Sequence, residues 1–263
     1  KPMWQQYLYW VSGCLQGDFG YSFEWRRPVS ELIGERLGLT FLMALGALLF
    51  MWLVALPIGV YSARNRYSFG DYFWTFMAFI GLCVPGFIIA LIAMYMSVFW
   101  FGGSAGGLFS PDFKYAAWSL AKVWDLLMHL WVPVVVIGAA GTASLMRIMR
   151  TSMLDVLDEQ YITTARAKGL AERWVIYKYA VRVAINPMIS ILGLQMPELV
   201  SGSIIVAIVL GLPTTGPLFY RALETQDMYL AGTFLMLLAI LLLLGNLMAD
   251  ILLAWADPRI RLE

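Results

Sequence analysis

Long apolar stretches, separated by shorter charged segments, set the pattern of this chain. Five of them are long enough to cross a bilayer as helices, which takes roughly 20 mostly apolar residues for about 30 Å of hydrocarbon. They run over Leu39–Tyr61, Tyr72–Phe101, Leu127–Met146, Met188–Leu210 and Leu230–Trp255. The segments between them leave no room for a sizeable water-soluble domain. The pattern predicts an all-α protein that crosses the membrane several times.

The first two predicted spans carry internal prolines, Pro57 and Pro85. Membrane helices tolerate proline when neighbouring groups satisfy the carbonyl that loses its hydrogen bond. We therefore expect each of these stretches to form one span.

The composition agrees with a membrane solvent. Hydrophobic residues make up 61% of the 263 residues and charged residues only 13%, whereas a soluble domain carries about 25% charged residues. The net charge of +1 gives no indication of a nucleic-acid partner. Two cysteines, Cys14 and Cys83, and a single histidine, His129, are too few for a disulfide framework or a metal site. We expect no metal to be bound.

Loop charges orient the predicted spans. Arginine and lysine are most concentrated after the first span, between the third and fourth spans, and in the C-terminal tail. Because cytoplasmic loops carry the excess of basic residues, these segments are predicted to be cytoplasmic. Residues 1–37 then lie outside the cell. An additional span upstream of this chain, six in all, is the simplest way to place them there.

This orientation divides the chain into three parts. Residues 1–37 are predicted to be an external segment with an interfacial helix, since Trp4, Leu8, Val11 and Leu15 recur at helical spacing. Residues 38–255 form the transmembrane domain. Residues 256–263 form a cytoplasmic tail.

The cytoplasmic loop over about residues 147–187 has a pattern of its own. Helical periodicity continues to Lys168, and Gly169 suits the left-handed residue that ends a helix. A second helix follows, with Trp174, Tyr177, Val181 and Ala184 predicted to form its apolar face. This loop is either a compact docking element for another protein or a solvated basic loop that merely obeys the orientation rule.

The loop also resembles a known signature. Residues 163–169 read Thr-Thr-Ala-Arg-Ala-Lys-Gly, and Asn186-Pro187 follow. This is similar to the signature of binding-protein-dependent ABC importer permeases, and more narrowly of the dipeptide/oligopeptide permease family (B-type subunit). Gly-Asp-Phe-Gly-Tyr-Ser from Gly17, Leu-Pro-Thr-Thr-Gly from Leu212 and Asp-Pro-Arg-Ile-Arg from Asp257 resemble other segments of that family. Thr163 stands where the general signature has glutamate, as is usual among peptide-type members.

The resemblance implies a type I ABC importer transmembrane domain whose cytoplasmic loop docks into an ATPase subunit. The ATPase-coupling residues carried over by motif position are Thr163, Thr164, Ala165, Arg166, Lys168, Gly169, Asn186 and Pro187. It implies a second homologous permease subunit, two ABC ATPase subunits and an external solute-binding protein as partners. ATP and Mg²⁺ would bind those ATPases, leaving this chain without a cofactor or catalytic residues. Its location would be the bacterial or archaeal cytoplasmic (inner) membrane.

Polar residues inside the fourth predicted span are candidates for the translocation path. Glu198 lies near its middle, with Gln195 and Ser201 nearby, and a carboxylate at that depth costs roughly 2.5–3.5 kcal/mol. Glu198 either faces the path or makes a structural hydrogen bond to another helix. The family carries peptides, and its relatives carry oligosaccharides, opines or nickel, so the solute stays open.

Two other classes of protein fit the sequence less well. A secondary transporter working alone would need paired intramembrane charges or broken helices in corresponding halves, and only Glu198 hints at this. A membrane enzyme would need clustered histidines and carboxylates. The chain also lacks the Gly-x-x-x-x-Gly-Lys-Ser/Thr loop of nucleotide-hydrolysing subunits, so it is not expected to be an enzyme.

Overall fold

The computed structural model describes residues 2–101, 106–113 and 116–256, and every regular element within them is helical. Most of the predicted tail, residues 256–263, lies outside the described residues. The elements are α1 Met3–Cys14, α2 Val29–Arg64, α3 Phe69–Cys83, α4 Gly86–Phe101, α5 Leu120–Leu157, α6 Gln160–Ala167, α7 Glu172–Trp174, a π-helical segment Val175–Ala180, α8 Val181–Ala184, α9 Asn186–Ser190, α10 Leu192–Gly202, α11 Ile204–Val209, α12 Thr215–Glu224 and α13 Met228–Ala256.

Two long helices, α2 and α5, form the centre of the bundle. Small residues bring them together: a Cβ at Gly46 would meet Val134, and one at Gly59 would lie 2.7 Å from the Cβ of Met149. Such close contacts are how helices associate where lipid gives no hydrophobic driving force. Both helices are longer than the predicted spans, because their polar end turns extend past the apolar stretch that the sequence pattern detects.

The second predicted span is not one straight helix. Tyr72–Phe101 is divided into α3 and α4, which meet at an angle of 101°. Val84 has extended backbone angles (φ −87°, ψ 119°), as expected for the residue before a proline. Pro85 in turn has no N–H with which to continue the helix. The proline therefore breaks this helix, whereas Pro57 lies inside α2 without ending it.

The fourth predicted span is built from the short helices α9, α10 and α11. The interruptions fall at Ile191 and Ser203, while α10 runs through Pro197. At Gly193 this helix crosses α13 with no room for a side chain, because an added Cβ would overlap the side-chain amide of Asn246. With four helices that can span a membrane, or five if α3 and α4 count as one bent span, the described chain is a multi-pass membrane protein.

On the predicted external side, the segment before α2 is fastened to the start of α13. Asp227 is buried and its carboxylate accepts hydrogen bonds from the Ser22 hydroxyl (2.5 Å) and the Phe23 amide (3.0 Å). The same carboxylate accepts from the Leu230 amide in the first turn of α13 (3.3 Å).

Helix α1 contacts the rest of the protein through a face other than the one predicted to lie on the membrane. The Trp10 indole donates to the carbonyl of Phe19 and lies beside Gly232. Trp4 and Leu8, on the predicted apolar face, are exposed. An apolar face that protein does not cover is what an interfacial helix presents to lipid, and placement at the interface stays a prediction.

Candidate functional site: the coupling loop and the central cavity

The candidate coupling element is α6, a short helix that follows directly on α5. Glu159 is extended and separates the two helices, so the chain changes direction there. Ile162 and Ala165 face inward, with 0% and 6% of their surfaces exposed. Thr163 and Thr164 point away from that contact and are exposed. One side of α6 is therefore packed against the protein, and the other side is exposed.

Gly169 ends α6 as the sequence predicts. Its φ of +75° is in the left-handed region. Its amide donates to the carbonyl of Arg166 (2.9 Å), and the next amide, of Leu170, donates to that of Ala165 (3.4 Å). These two bonds form a Schellman motif, which satisfies carbonyls at a helix end and favours glycine at this position.

The helix after Gly169 buries a different face from the predicted one. Val175, Ile176, Ala180 and Ala184 are buried, whereas Trp174 and Tyr177 are 53% and 65% exposed. The cause is the π-helical segment, whose i→i+5 turn aligns Val175 with Ala180. The prediction assumed a uniform period of 3.6 residues and therefore chose the wrong register.

Charge within the loop is partly neutralised. Arg166 donates two hydrogen bonds to Glu172, at 2.9 and 3.3 Å, so this guanidinium links α6 to the next helix. Hydrogen bonding by Arg166, helped by its positive charge, holds the pKa of Glu172 below its usual value. Lys168 is exposed beside the end of α6.

The structure gathers only some of the carried-over coupling residues into one exposed surface. Thr163, Thr164, Lys168 and Gly169 lie on or beside the outer side of α6. Ala165 is buried beneath it. Asn186 and Pro187 begin α9, where a helix does not need the missing N–H of proline, and they mark the return of the chain toward the membrane.

An ion pair that the sequence did not reveal lies near the loop. Asp71, in the first turn of α3, accepts hydrogen bonds from Nε and Nη2 of Arg150 on α5, at 2.9 and 2.8 Å. The Asp71 side chain is only 3% exposed, and that of Arg150 26%. It also accepts from the amide of Tyr67 (3.1 Å). The pair fixes the start of the bent span to the helix that leads into the coupling loop.

A cavity of about 510 Å³ opens in the middle of the bundle. Its walls come from α2, α5, the joint between α3 and α4, and the fourth span. Gln195 and Glu198 line it, and the Gln195 amide oxygen accepts a hydrogen bond from the Trp52 indole (3.3 Å). Ser201 does not line it; its hydroxyl donates to the carbonyl of Pro197 (2.9 Å). Gly202 and Ser203 take the place predicted for Ser201.

The spans border an interior cavity, and α6 lies outside them with one side exposed. This arrangement is typical of the membrane subunit of a transporter. Comparison with known proteins gives the family. Residues 55–262 match the model of the family described as "Binding-protein-dependent transport system inner membrane component". The chain belongs to this family, whose members are the membrane permeases of ABC importers, and ATP hydrolysis in such importers takes place on separate subunits.

Individual relatives agree with this assignment. The oligopeptide transport system permease protein AppB of Bacillus subtilis (strain 168) is 38% identical over 98% of this chain and 81% of its own length. The dipeptide transport system permease protein DppB of Escherichia coli (strain K12) is 33% identical over 99% of this chain and 82% of its own.

The fold is also found in a solved structure. A chain of the MetNI methionine ABC transporter, in an inward-facing conformation, superposes with a TM-score of 0.65. The match covers 86% of this chain and 96% of that one, at 16% sequence identity. The fold is therefore that of a type I importer transmembrane subunit. The family itself consists of inner-membrane components, which gives the location of this chain.

Proposed function

We propose that this chain is one of two permease subunits of an importer that carries peptides, with α6 as the contact to an ATPase subunit. The observation that carries the coupling role is the geometry of α6. Its inner side is held by Ile162 and Ala165, so a push on its outer side moves the bundle rather than the helix alone.

The partners follow from the family and from the cavity. Importers of this family generally combine a second permease, two ATPases and an external binding protein. This single chain does not fully enclose the cavity, which supports a path that a second permease completes. Closure of the ATPases would move the two α6 helices and switch the cavity between inward and outward openings.

The solute class is supported by the relatives. AppB and DppB are named for oligopeptide and dipeptide transport, and each covers nearly the whole of this chain. Peptides are therefore proposed in preference to oligosaccharides, opines or nickel.

The coupling proposal is tested by reversing one charge on the docking surface. Lys168→Glu should abolish binding-protein-stimulated ATP hydrolysis by the complete transporter in proteoliposomes, because the charge change falls where the ATPase would dock. Lys178→Glu is the matched control, since it makes the same change in the same loop but on an exposed position outside α6, and it should retain activity. Full activity of Lys168→Glu, combined with normal copurification of the ATPases, would refute the docking assignment.

The solute proposal needs its own measurement. Proteoliposomes containing the complete transporter and its binding protein should accumulate radiolabelled tri-alanine when ATP is enclosed on the cytoplasmic side. Accumulation of an oligosaccharide or of Ni²⁺, with no accumulation of tri-alanine or other short peptides, would assign the transporter to one of the alternative solutes.

A further inference from the structure

The central cavity contains one charged side chain, and that charge has no partner within the described chain. Glu198 lines the cavity and is exposed to it. Within residues 2–101, 106–113 and 116–256, no basic side chain lies at ion-pair distance from its carboxylate. By contrast, Asp71 has a bidentate partner and Asp227 has four donors.

An unpaired carboxylate at this depth needs a reason. Placing one within the bilayer is costly, and ionisable residues there face a cavity or pair with another charge. Water in the cavity lowers this cost and so explains how a carboxylate is tolerated there. It does not explain why the position has a charged residue, since an uncharged serine would be tolerated as well. A cation that enters the cavity gives the carboxylate a partner that no described residue supplies.

The rest of the lining suits a solute that carries one cationic group. Around Glu198 the walls offer the Gln195 amide and the hydroxyls of Ser144 and Ser203, and the remaining surface is apolar, as at Met51 and Val206. At about 510 Å³ the cavity is within the range of about 300–1,000 Å³ typical of small-molecule sites. Few polar groups in an apolar cavity orient a ligand without holding it tightly, as a transport path requires.

We propose that Glu198 recognises the cationic amino group of the solute as it passes through this half of the translocation path. This rests on the proposed function, because it names the solute group that the path of a peptide permease would bind. A free peptide carries such a group at its amino terminus. The interaction is non-covalent: an ammonium N–H donates to the carboxylate, and the hydroxyls and the amide complete its contacts.

The first test measures the charge preference of the cavity without any solute. In the complete transporter, Cys14→Ser and Cys83→Ser remove the native thiols, and Ser203→Cys introduces one on the cavity wall. Modification rates are measured with the cationic thiol reagent MTSET and the anionic reagent MTSES. Glu198→Gln should lower the ratio of cationic to anionic rates about tenfold, since a unit charge on the wall of the same partly wet cavity produces an effect of that order.

Ser30→Cys serves as the matched control, because Ser30 is exposed in the first turn of α2 and does not line the cavity. Its modification should not depend on Glu198. An unchanged ratio at Ser203→Cys in the Glu198→Gln transporter overturns the role of Glu198 and leaves the proposed path intact. No reaction at Ser203→Cys in any variant instead contradicts the path itself, and with it this part of the proposed function.

The second test separates recognition from assembly. Glu198→Gln should still assemble and hydrolyse ATP in response to the binding protein, while transporting about tenfold less tri-alanine per ATP hydrolysed. Glu198→Asp keeps the charge and should restore much of this transport. If Glu198→Gln fails to assemble with the second permease while Glu198→Asp assembles, the carboxylate pairs with that subunit, and the proposal is wrong.

Discussion

Breaking the ion pair between Asp71 and Arg150 should destabilise the permease in an asymmetric way. Removing one partner of a buried pair leaves an uncompensated charge and costs about 3–5 kcal/mol. Arg150→Met leaves the Asp71 carboxylate, only 3% exposed, with the Tyr67 amide but no cation. We expect this variant to lose about 3–4 kcal/mol of unfolding free energy.

The reverse change should cost less. Asp71→Asn keeps the shape of the side chain and one acceptor oxygen, and Arg150, with 26% of its side chain exposed, can still reach water. We therefore expect a loss of about 1.5–3 kcal/mol, the usual range for a hydrogen bond to a charged group. In the double variant no buried charge is left behind, so the two losses should not add, and the coupling energy should be about 2 kcal/mol.

The assay is titration of the purified permease in mixed micelles with a denaturing detergent, followed by far-ultraviolet circular dichroism. Arg27→Gln is the matched control, because Arg27 pairs with Glu31 and Glu35 on exposed side chains, where a pair contributes about 0–1 kcal/mol. Equal losses for the two single variants, adding fully in the double variant, would refute the reasoning from burial.

Three further outcomes test the loop and the packing of the spans. Gly169→Ala should cost about 1–2 kcal/mol and reduce stimulated ATP hydrolysis, because the left-handed φ of +75° must be kept although nothing lies within 4 Å; unchanged ATPase activity and thermal stability would contradict this. Gly193→Ala should cost about 1–3 kcal/mol through overlap with α13 in the same detergent titration, whereas Gly38→Ala, in open space, should not destabilise. Arg166 lowers the pKa of Glu172. The stabilisation from this exposed pair should therefore be present above the unfolded-state pKa of the glutamate, near 4.3, and lost as the pH falls through the lower folded pKa. A probe attached to the loop should become more mobile over this acid range, and unchanged mobility would count against the prediction.

The features that sequence predicted well are those decided by local chemistry. The apolar stretches locate the spans because burying about 20 residues in lipid depends on their composition alone. Gly169 ends α6 because a left-handed backbone selects glycine whatever surrounds it. The family signature then gave these local signals a role that periodicity had left open.

The features that were missed depend on packing between distant segments. Nothing near Asp71 or Arg150 in the sequence indicates that α3 and α5 would bring them together. Pro57 and Pro85 both lie in apolar stretches of the sequence. Pro57 is inside α2, whereas Pro85 separates α3 from α4, and the local sequence does not distinguish the two cases.

Among the candidate translocation residues, a shift of one position along the helix decides whether a side chain lines the cavity. Gln195, Glu198 and Gly202 recur at i, i+3 and i+7, so they share one face of the fourth span, and all three line the cavity. Ser201 is one residue out of this register and turns away from it. Polar residues marked the part of the span that borders the cavity, and the helical period decided which of them line it.

The right-angled joint between α3 and α4 constrains where water can be. Pro85 cannot donate to the carbonyl of Gly81, and an unsatisfied carbonyl in hydrocarbon costs several kcal/mol. Such a joint is stable at membrane depth only beside protein or water. Leu82 and Gly86, on either side of it, both line the cavity, so the joint borders a space that water can enter.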